Sequence, residues 1–308
     1  MEVFRGIHEL DRSLGPVVVT VGNFDGVHLG HAQILRTAAE QARARGGTLV
    51  VYTFKPHPRQ VLRPDPPVPL LTTYAERLEL LGKAGAQVVI EEPFSRDFSN
   101  TPAERFFSEN LVHRLSAEAV VVGYDFSFGR GREGSLKSLE DLSRSSGVTL
   151  TVAPPHRVGD EVASSSGVRR HLLDGDLEAA KALLGYEFFY RGVVVRGEQR
   201  GRKLGFPTAN VRIGEKLVLP YGVYATWAVV DGKPFASVTN LGVRPTFEST
   251  EPEPLVECHL LDQDVDLYGR TLEVRFVKRL REERRFPGVD ALKDQIGRDA
   301  AEARRTLT

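Results

Sequence analysis

Cysteine is nearly absent: Cys258 is the only one in 308 residues. A lone thiol excludes an intramolecular disulfide and a thiolate metal cluster, and it suits a reducing cytoplasm. No stretch approaches the ~18 apolar residues of a membrane-spanning helix. The N-terminal Met-Glu-Val-Phe-Arg is charged early and lacks the apolar core of a signal peptide. An excess of either charge is missing as well, because 41 Lys and Arg face 41 Asp and Glu. Proteins that live on nucleic acid usually carry a basic excess, so the expected partners include neither nucleic acid nor membrane. What remains is an ordinary globular composition, 41% hydrophobic and 27% charged. The length fits about two domains.

The first half alternates strand and helix signals. Val17–Val21 reads as a buried strand. A helix follows whose Ile34, Leu35, Ala38, Ala39 and Ala42 share one face, and Gly46-Gly47 stops it. Thr48–Phe54 is β-rich, and Thr73-Tyr-Ala-Glu76 is a capping box that opens a helix to Lys83. Gln87–Glu91 is a short strand. Thr101-Pro102-Ala103-Glu104 starts a helix to Leu115 with proline at its first position. Ala119–Gly123 and Val148–Val152 are strands around a Ser135–Ser145 helix. Repeated βα units predict an α/β, Rossmann-like domain with a parallel sheet, whose ligands bind beyond the carboxyl ends of the strands. Gly22–His31, Phe54–Pro58 and Gly123–Gly129 each follow a strand, so such a sheet brings all three to one edge.

Those three loops carry chemistry. Gly22-Asn23-Phe24-Asp25-Gly26-Val27-His28-Leu29-Gly30-His31 is a strand-to-helix turn. A helix N-terminus offers unpaired N–H groups and the positive end of the dipole, a ready anion site. His28 and His31, three apart, share a face there. The turn resembles the HxGH signature of nucleotidylyltransferases; its plainer reading is a glycine-rich turn with a surface histidine pair. Phe54-Lys55-Pro56-His57-Pro58 offers a ring, an imidazole and two rigid prolines, or simply a stiff exit loop. Phe126 and Phe128 flank Ser127 beside Asp125; such rings face a flat ligand or plug the sheet end. Ser164-Ser165-Ser166-Gly167-Val168-Arg169 sets hydroxyls and a guanidinium at a helix start, which suits a triphosphate or an ordinary cap. Gly129-Arg-Gly131-Arg-Glu-Gly134 matches GxGxxG but does not follow its strand directly, and no acidic residue closes a strand about twenty positions on, so a dinucleotide fingerprint is not expected.

The pattern changes near Leu184-Gly185-Tyr186, after a short Asp176–Leu184 helix. Phe188–Arg196, Tyr221–Val230, Phe235–Asn240, Leu255–Leu261 and Thr271–Leu280 are β-type runs without helices between them, the mark of a small antiparallel β-barrel domain. A C-terminal helix follows Pro287-Gly288. The expected domains are therefore 1–185 and 186–308. Between the first two runs, Gly201, Arg202 and Lys203 form a plausible phosphate lid with Pro207 beyond it. Thr208 and Asn210 supply hard neutral oxygens, which suit Mg2+ held with nucleotide phosphates. By alternation Glu257 shares a face with Leu255, His259 and Leu261. It is either a functional carboxylate at the barrel mouth or part of an exposed face. Trp227 and Cys258 read as packing residues.

Taken together, these motifs resemble the prokaryotic bifunctional riboflavin kinase/FMN adenylyltransferase family. GNFDGVHLGH, TFKPHP, GYDFSFG and SSSGVR look like its adenylylation motifs. GRKLGFPTAN, NLGVRPTF and VECHLL look like its kinase signature. This chain departs from the family in reading Ser166-Gly167 where a Ser-Thr pair is usual, Asp125 where many members have Asn, and Lys55 where Glu is frequent. The resemblance implies two reactions: riboflavin and ATP give FMN at the barrel, then FMN and ATP give FAD and pyrophosphate at the α/β domain. It implies Glu257 as base, with Thr208 and Asn210 around Mg2+ and Gly201, Arg202, Lys203 and Pro207 over the phosphates. In the first half it implies His28, His31 and Arg169 at the reacting phosphates. Gly22, Asn23, Phe24, Asp25, Gly26, Ser164, Ser165 and Ser166 fall on the ATP side, and Phe54, Pro56, His57, Pro58, Asp125, Phe126 and Phe128 on the flavin side. A tRNA-charging relative and a flavin-binding regulator without turnover are the alternatives, the first disfavoured by the neutral charge.

Overall fold

The computed structural model describes residues 1–196, 201, 205–244, 253–263 and 265–308, in two compact units, Met1–Ser165 and Ser166–Thr308. Arg202 and Lys203 lie outside the described residues.

The first unit is built on one parallel sheet: β1 (Glu2–Phe4), β2 (Val17–Val21), β3 (Thr48–Lys55), β4 (Val88–Pro93), β5 (Ala117–Gly123) and β6 (Thr149–Ala153), in the order β1-β4-β3-β2-β5-β6. Every residue of β2 is buried, as expected of a strand covered on both faces. On one face Leu35, Val51, Leu81 and Val89 pack together, and on the other Val19, Val50, Tyr52, Ile90 and Phe107. The short strand β1, pairing Glu2 with Val88, was not predicted; Glu-Val-Phe is too short a run to show alternation.

Helices α1 (Leu29–Ala44), α2 (Pro58–Leu62) and α3 (Tyr74–Lys83) follow β2 and β3. The Thr73/Glu76 capping box is formed, with Glu76 N–H donating to Thr73 Oγ1 at 3.2 Å and Thr73 N–H to Glu76 Oε2 at 2.8 Å. The helix predicted from Thr101 is different in kind. Pro102 is its N-cap, α4 (Arg96–Ser99) precedes it, and after α5 (Ala103–Arg105) the chain widens into a π-helix, Phe106–Arg114. The wide turn buries the adjacent Phe106 and Phe107 as well as Leu111. Ser135 caps α6 (Leu136–Ser145), and a two-residue hairpin, β7 (Arg157–Val158) with β8 (Glu161–Val162), ends the unit.

The second unit carries α7 (Ser165–Asp174) from its second residue and α8 (Leu177–Leu184), capped by Asp176 and ended by Gly185 at φ 84°. Six antiparallel strands then close a barrel: β9 (Phe189–Val195), β10 (Ala209–Arg212), β11 (Gly222–Val230), β12 (Lys233–Arg244), β13 (Glu253–Leu260) and β14 (Thr271–Arg281), in the order β10-β13-β12-β11-β14-β9. Closure removes the exposed edges that would template aggregation. Tyr190 and Tyr224 meet Phe276 edge-on, each 5.1 Å away. Thr226, Ser237 and Thr239 link hydroxyls at 2.7 Å, and Cys258 is fully buried beside them. The C-terminal helix (Val289–Thr306) lays Ala300 and Ala303 on Val223, Ala225 and Val238, with Trp227 at the margin. Asp299 takes hydrogen bonds from Arg281 Nε at 3.0 Å and Gln295 Nε2 at 2.7 Å.

Candidate active sites

Strands β3, β2 and β5 are neighbours in a parallel sheet, so the three chemistry-bearing loops leave it at one edge. The turn after β2 holds three positive-φ backbones within four residues: Phe24 at φ 51°, Gly26 at φ 81° and Val27 at φ 37°. Positive φ is uncommon outside glycine and costs about 1–3 kcal/mol at such residues. Two features hold the turn in place. The Phe24 ring is buried with Leu35, Val51 and Leu81. The buried Asp25 carboxylate accepts the Leu71 and Thr72 N–H groups at 3.0 and 3.2 Å.

The turn delivers His28 as the N-cap of α1, its Nδ1 accepting His31 N–H at 3.4 Å. A neutral imidazole accepting at Nδ1 carries its proton on Nε2. The two rings stack at 3.7 Å between centroids. Burial, and then the neighbouring His28, push the His31 pKa well below its ordinary 6.5. Its Nδ1 is closed to solvent and has no partner among the described residues. A Cβ on Gly30 would come within 2.9 Å of the Ala163 carbonyl, which leaves room only for glycine where the chain passes before α7. Ser165 Oγ donates to the Asp25 carbonyl at 2.9 Å. Ser166 and the buried Arg169 stand on α7 in the second unit.

On the β3 and β5 side, rings form a continuous series. Phe54 meets Phe94 at 5.6 Å and Phe98 at 6.0 Å; Phe98 meets Phe106, and Phe106 meets Phe128, each at 6.2 Å. Phe126 and Phe128 stack at 5.4 Å. Phe128 is buried, Phe126 half-buried and Asp125 exposed. Phe94, Phe98 and Phe106 escaped the sequence reading, since no short motif joins them to Phe54. His57 is buried and caps α2, with Nδ1 accepting Arg59 N–H at 3.1 Å between Pro56 and Pro58. The GxGxxG stretch closes a Phe128–Gly134 bridge and a short turn rather than a strand-to-helix crossing.

In the barrel, the PTAN stretch is partly strand. Ala209 and Asn210 open β10, and Asn210 lies opposite Glu257, which lies opposite Asn240. Val256, Cys258 and Leu260 point inward, so Glu257 shares the other face with Leu255 and His259, as alternation predicts; Leu261 falls past the strand end and is buried. Asn240 Nδ2 donates to Glu283 Oε1 at 3.3 Å, and a side chain at Gly242 would strike that carboxylate. His259 Nδ1 meets the Pro207 carbonyl at 2.7 Å. A cavity of about 350 Å³ opens beside Thr208, walled by Val194, Pro207, Ala209, Leu260 and Tyr268. A Cβ on Gly201 would collide with the Phe206 carbonyl and meet Thr208 Oγ1 at 3.4 Å. Thr208 lines the cavity, whereas Asn210 and Glu257 alternate with the Ala209, Cys258 and Leu260 that wall it. A hydroxyl and an amide are hard neutral donors of the kind that fit a divalent cation sharing its coordination with phosphate oxygens.

Residues 11–167 match the family described as FAD synthetase, and residues 184–307 the family described as riboflavin kinase. The chain belongs to the bifunctional riboflavin kinase/FMN adenylyltransferase family. It is 39% identical over 306 residues to the enzyme of that name from Escherichia coli (strain K12), covering 99% of this chain and 97% of the relative. To the one from Bacillus subtilis (strain 168) it is 36% identical over 300 residues, covering 96% and 94%. A solved structure described as a macrolide-efflux protein from Streptococcus pneumoniae superposes with a TM-score of 0.88 at 28% identity, over 98% of both chains. Among the described residues no helix is long and apolar enough to cross a membrane.

Proposed function

We infer that the chain phosphorylates riboflavin with ATP to FMN and then adenylylates FMN with a second ATP to FAD, releasing pyrophosphate. The observation that carries the pairing is the coexistence of two unlike sites: a histidine-capped anion turn on a parallel sheet, and a carboxylate–amide row on a barrel. We place adenylyl transfer in residues 1–185 and the kinase in 186–308.

In the kinase step the nucleophile is a ribityl hydroxyl, which must lose a proton as the γ-phosphoryl group moves. Glu257 accepts that proton. Thr208 and Asn210 would hold Mg2+, which would supply neutralisation of charge on the nucleotide phosphates. The cavity beside Thr208 receives the nucleotide, and Gly201, Arg202, Lys203 and Pro207 close over its phosphates.

In the adenylyl step the nucleophile, the FMN phosphate, is already anionic, so no strong base is required. Charge on the α-phosphate and on the departing pyrophosphate must be stabilised. A neutral imidazole N–H, the α1 N-terminus and the Ser164–Ser166 hydroxyls with Arg169 do so. Gly22, Asn23, Phe24, Asp25 and Gly26 serve ATP through the shape of the turn. Phe54, Pro56, His57, Pro58, Asp125, Phe126 and Phe128 line the flavin side.

Product chromatography after incubation with riboflavin, ATP and Mg2+ tests the reading. FMN followed by FAD is expected; FMN without FAD, or neither product, would sink it. Replacing Mg2+ by other divalent ions tests the choice of cation.

A further inference from the structure

The loop after β2 and the loop after β3 must hold two substrates at a fixed separation. Asp25 joins the turn to the far end of the β3–α3 connection through the Leu71 and Thr72 N–H groups. The turn's Asn23 and the His57 end of that connection are both tied to one side of α3. Arg77, 3% exposed, donates from Nη1 to the Asn23 carbonyl at 3.1 Å, inside the anion turn. Its Nη2 donates to Glu91 Oε1 on β4 at 3.0 Å, and Glu91 is also bound by Arg5. The guanidinium lies over the Tyr74 ring at 5.0 Å. The Tyr74 hydroxyl accepts His57 N–H at 2.8 Å and donates to Gln60 Oε1 at 2.9 Å, both in the β3 exit loop. Thr53 Oγ1, at the end of β3, reaches the same Asn23 carbonyl at 3.2 Å.

We propose that Arg77, stacked on Tyr74, is a positioning residue for adenylyl transfer, setting the nucleotide turn at a fixed distance from the flavin-side loop. A guanidinium suits the task. Its rigid planar fork serves two acceptors at once and its face packs on an aromatic ring, so both directions are constrained by one group. A purely structural ion pair would need only the Glu91 contact. The Asn23 and Tyr74 contacts add nothing to joining α3 to β4, and each leads to one of the two substrate loops. Misplacing reacting groups by about 1 Å costs on the order of a hundredfold in rate, so a tie that bears on both loops has leverage on the reaction without touching substrate.

The inference rests on the placement of FMN adenylylation in residues 1–185, and the full-length chain supplies its own control, because FMN formation from riboflavin is read on the same sample. Wild-type protein that converts no FMN to FAD would overturn that placement; the outcomes below presume it is active. In Arg77→Met, kcat for FAD formation falls about tenfold or more and KM for both ATP and FMN rises, while FMN formation stays within about twofold. Arg77→Lys keeps the charge but neither the fork nor the stacked plane, and recovers only a minor part of the loss. Tyr74→Phe keeps the ion pair and removes the hydroxyl that takes His57 N–H; it raises KM for FMN severalfold and leaves KM for ATP unchanged. A fall in melting temperature with kcat and both KM values for FAD formation unmoved in Arg77→Met would reduce the pair to a structural tie and overturn the proposal. Should Arg77→Met fail to fold, Tyr74→Phe decides: an unmoved KM for FMN overturns it.

Discussion

On the proposed reading the two halves of the chain face the same problem, holding a nucleotide against a flavin, and the two units are built from opposite materials. In the first, the candidate groups sit on loops, and the loops are held by hydrogen bonds to backbone: Asp25 to Leu71 and Thr72, Arg77 to Asn23, Tyr74 to His57. In the second, Asn210 and Glu257 sit on strands, although Thr208 precedes β10, and register alone sets Asn210, Glu257 and Asn240 in a row across β10, β13 and β12. Opposed residues on neighbouring strands keep their spacing through the ladder itself. Loop sites depend on many single polar contacts and strand sites on few, so the two halves differ in how they break.

The largest effect expected isolates the strand site. Glu257→Gln keeps shape and register and removes the proton acceptor. FMN formation should fall about 10²–10⁴-fold, the usual worth of a general base, and conversion of supplied FMN to FAD should stay near wild type. Parallel loss of both activities in separate assays would erase the contrast between the units. Next is the reverse cut. His28→Ala combined with His31→Ala removes a cap and two candidate donors, and FAD formation should fall on the order of 10²–10³-fold with FMN formation intact. A double variant that makes FAD at the normal rate would remove the pair from the reaction.

How far the sequence foretold this arrangement follows the same divide. The barrel runs, the alternation that exposes Glu257 and the valine-rich central strands were legible, because burial imposes a period that one chain displays by itself. The three loops were placed at one edge for a topological reason. Asp25, Arg77 and Tyr74 were not legible in role. Each acts on backbone groups far along the chain, Asp25 across 46 positions and Arg77 across 54, and a carbonyl or N–H as partner leaves no side-chain signature. The same holds for Phe94 and Phe98, which join Phe54 only through the order of the strands. That Asn210 belongs to a strand was hidden by the proline and threonine before it.

A smaller effect sharpens the point about loops. Asp25→Ala leaves the buried Leu71 and Thr72 N–H groups without their acceptor, at about 1–3 kcal/mol for an unsatisfied group. The first unit should therefore unfold at lower temperature while the barrel transition is unchanged, read by calorimetry with FMN formation as a check. A single shifted transition common to both units would show that they do not melt independently.

The smallest effect separates the units by acid. His31 is kept neutral by burial and by His28, with a folded pKa well below 6.5. The unfolded chain therefore binds a proton in a range where the folded one does not, and stability rises with pH there. The contribution is whole above pH 6.5 and is lost as pH falls from 6.5 toward the folded pKa, by at most about 1.4 kcal/mol per pH unit. In the barrel unit the Arg304 hydrogen bond holds the Asp262 carboxyl below its ordinary 3.8. That stability is present above pH 3.8 and is lost only as pH falls further, toward the folded value. Acidification should thus soften the first unit before the second. Denaturant unfolding of the first unit, followed from pH 7.5 to 5, should show a slope that His31→Gln flattens, because glutamine does not titrate. An unaltered slope in that variant would place the acid sensitivity elsewhere in the unit and leave the buried His31 without a thermodynamic signature.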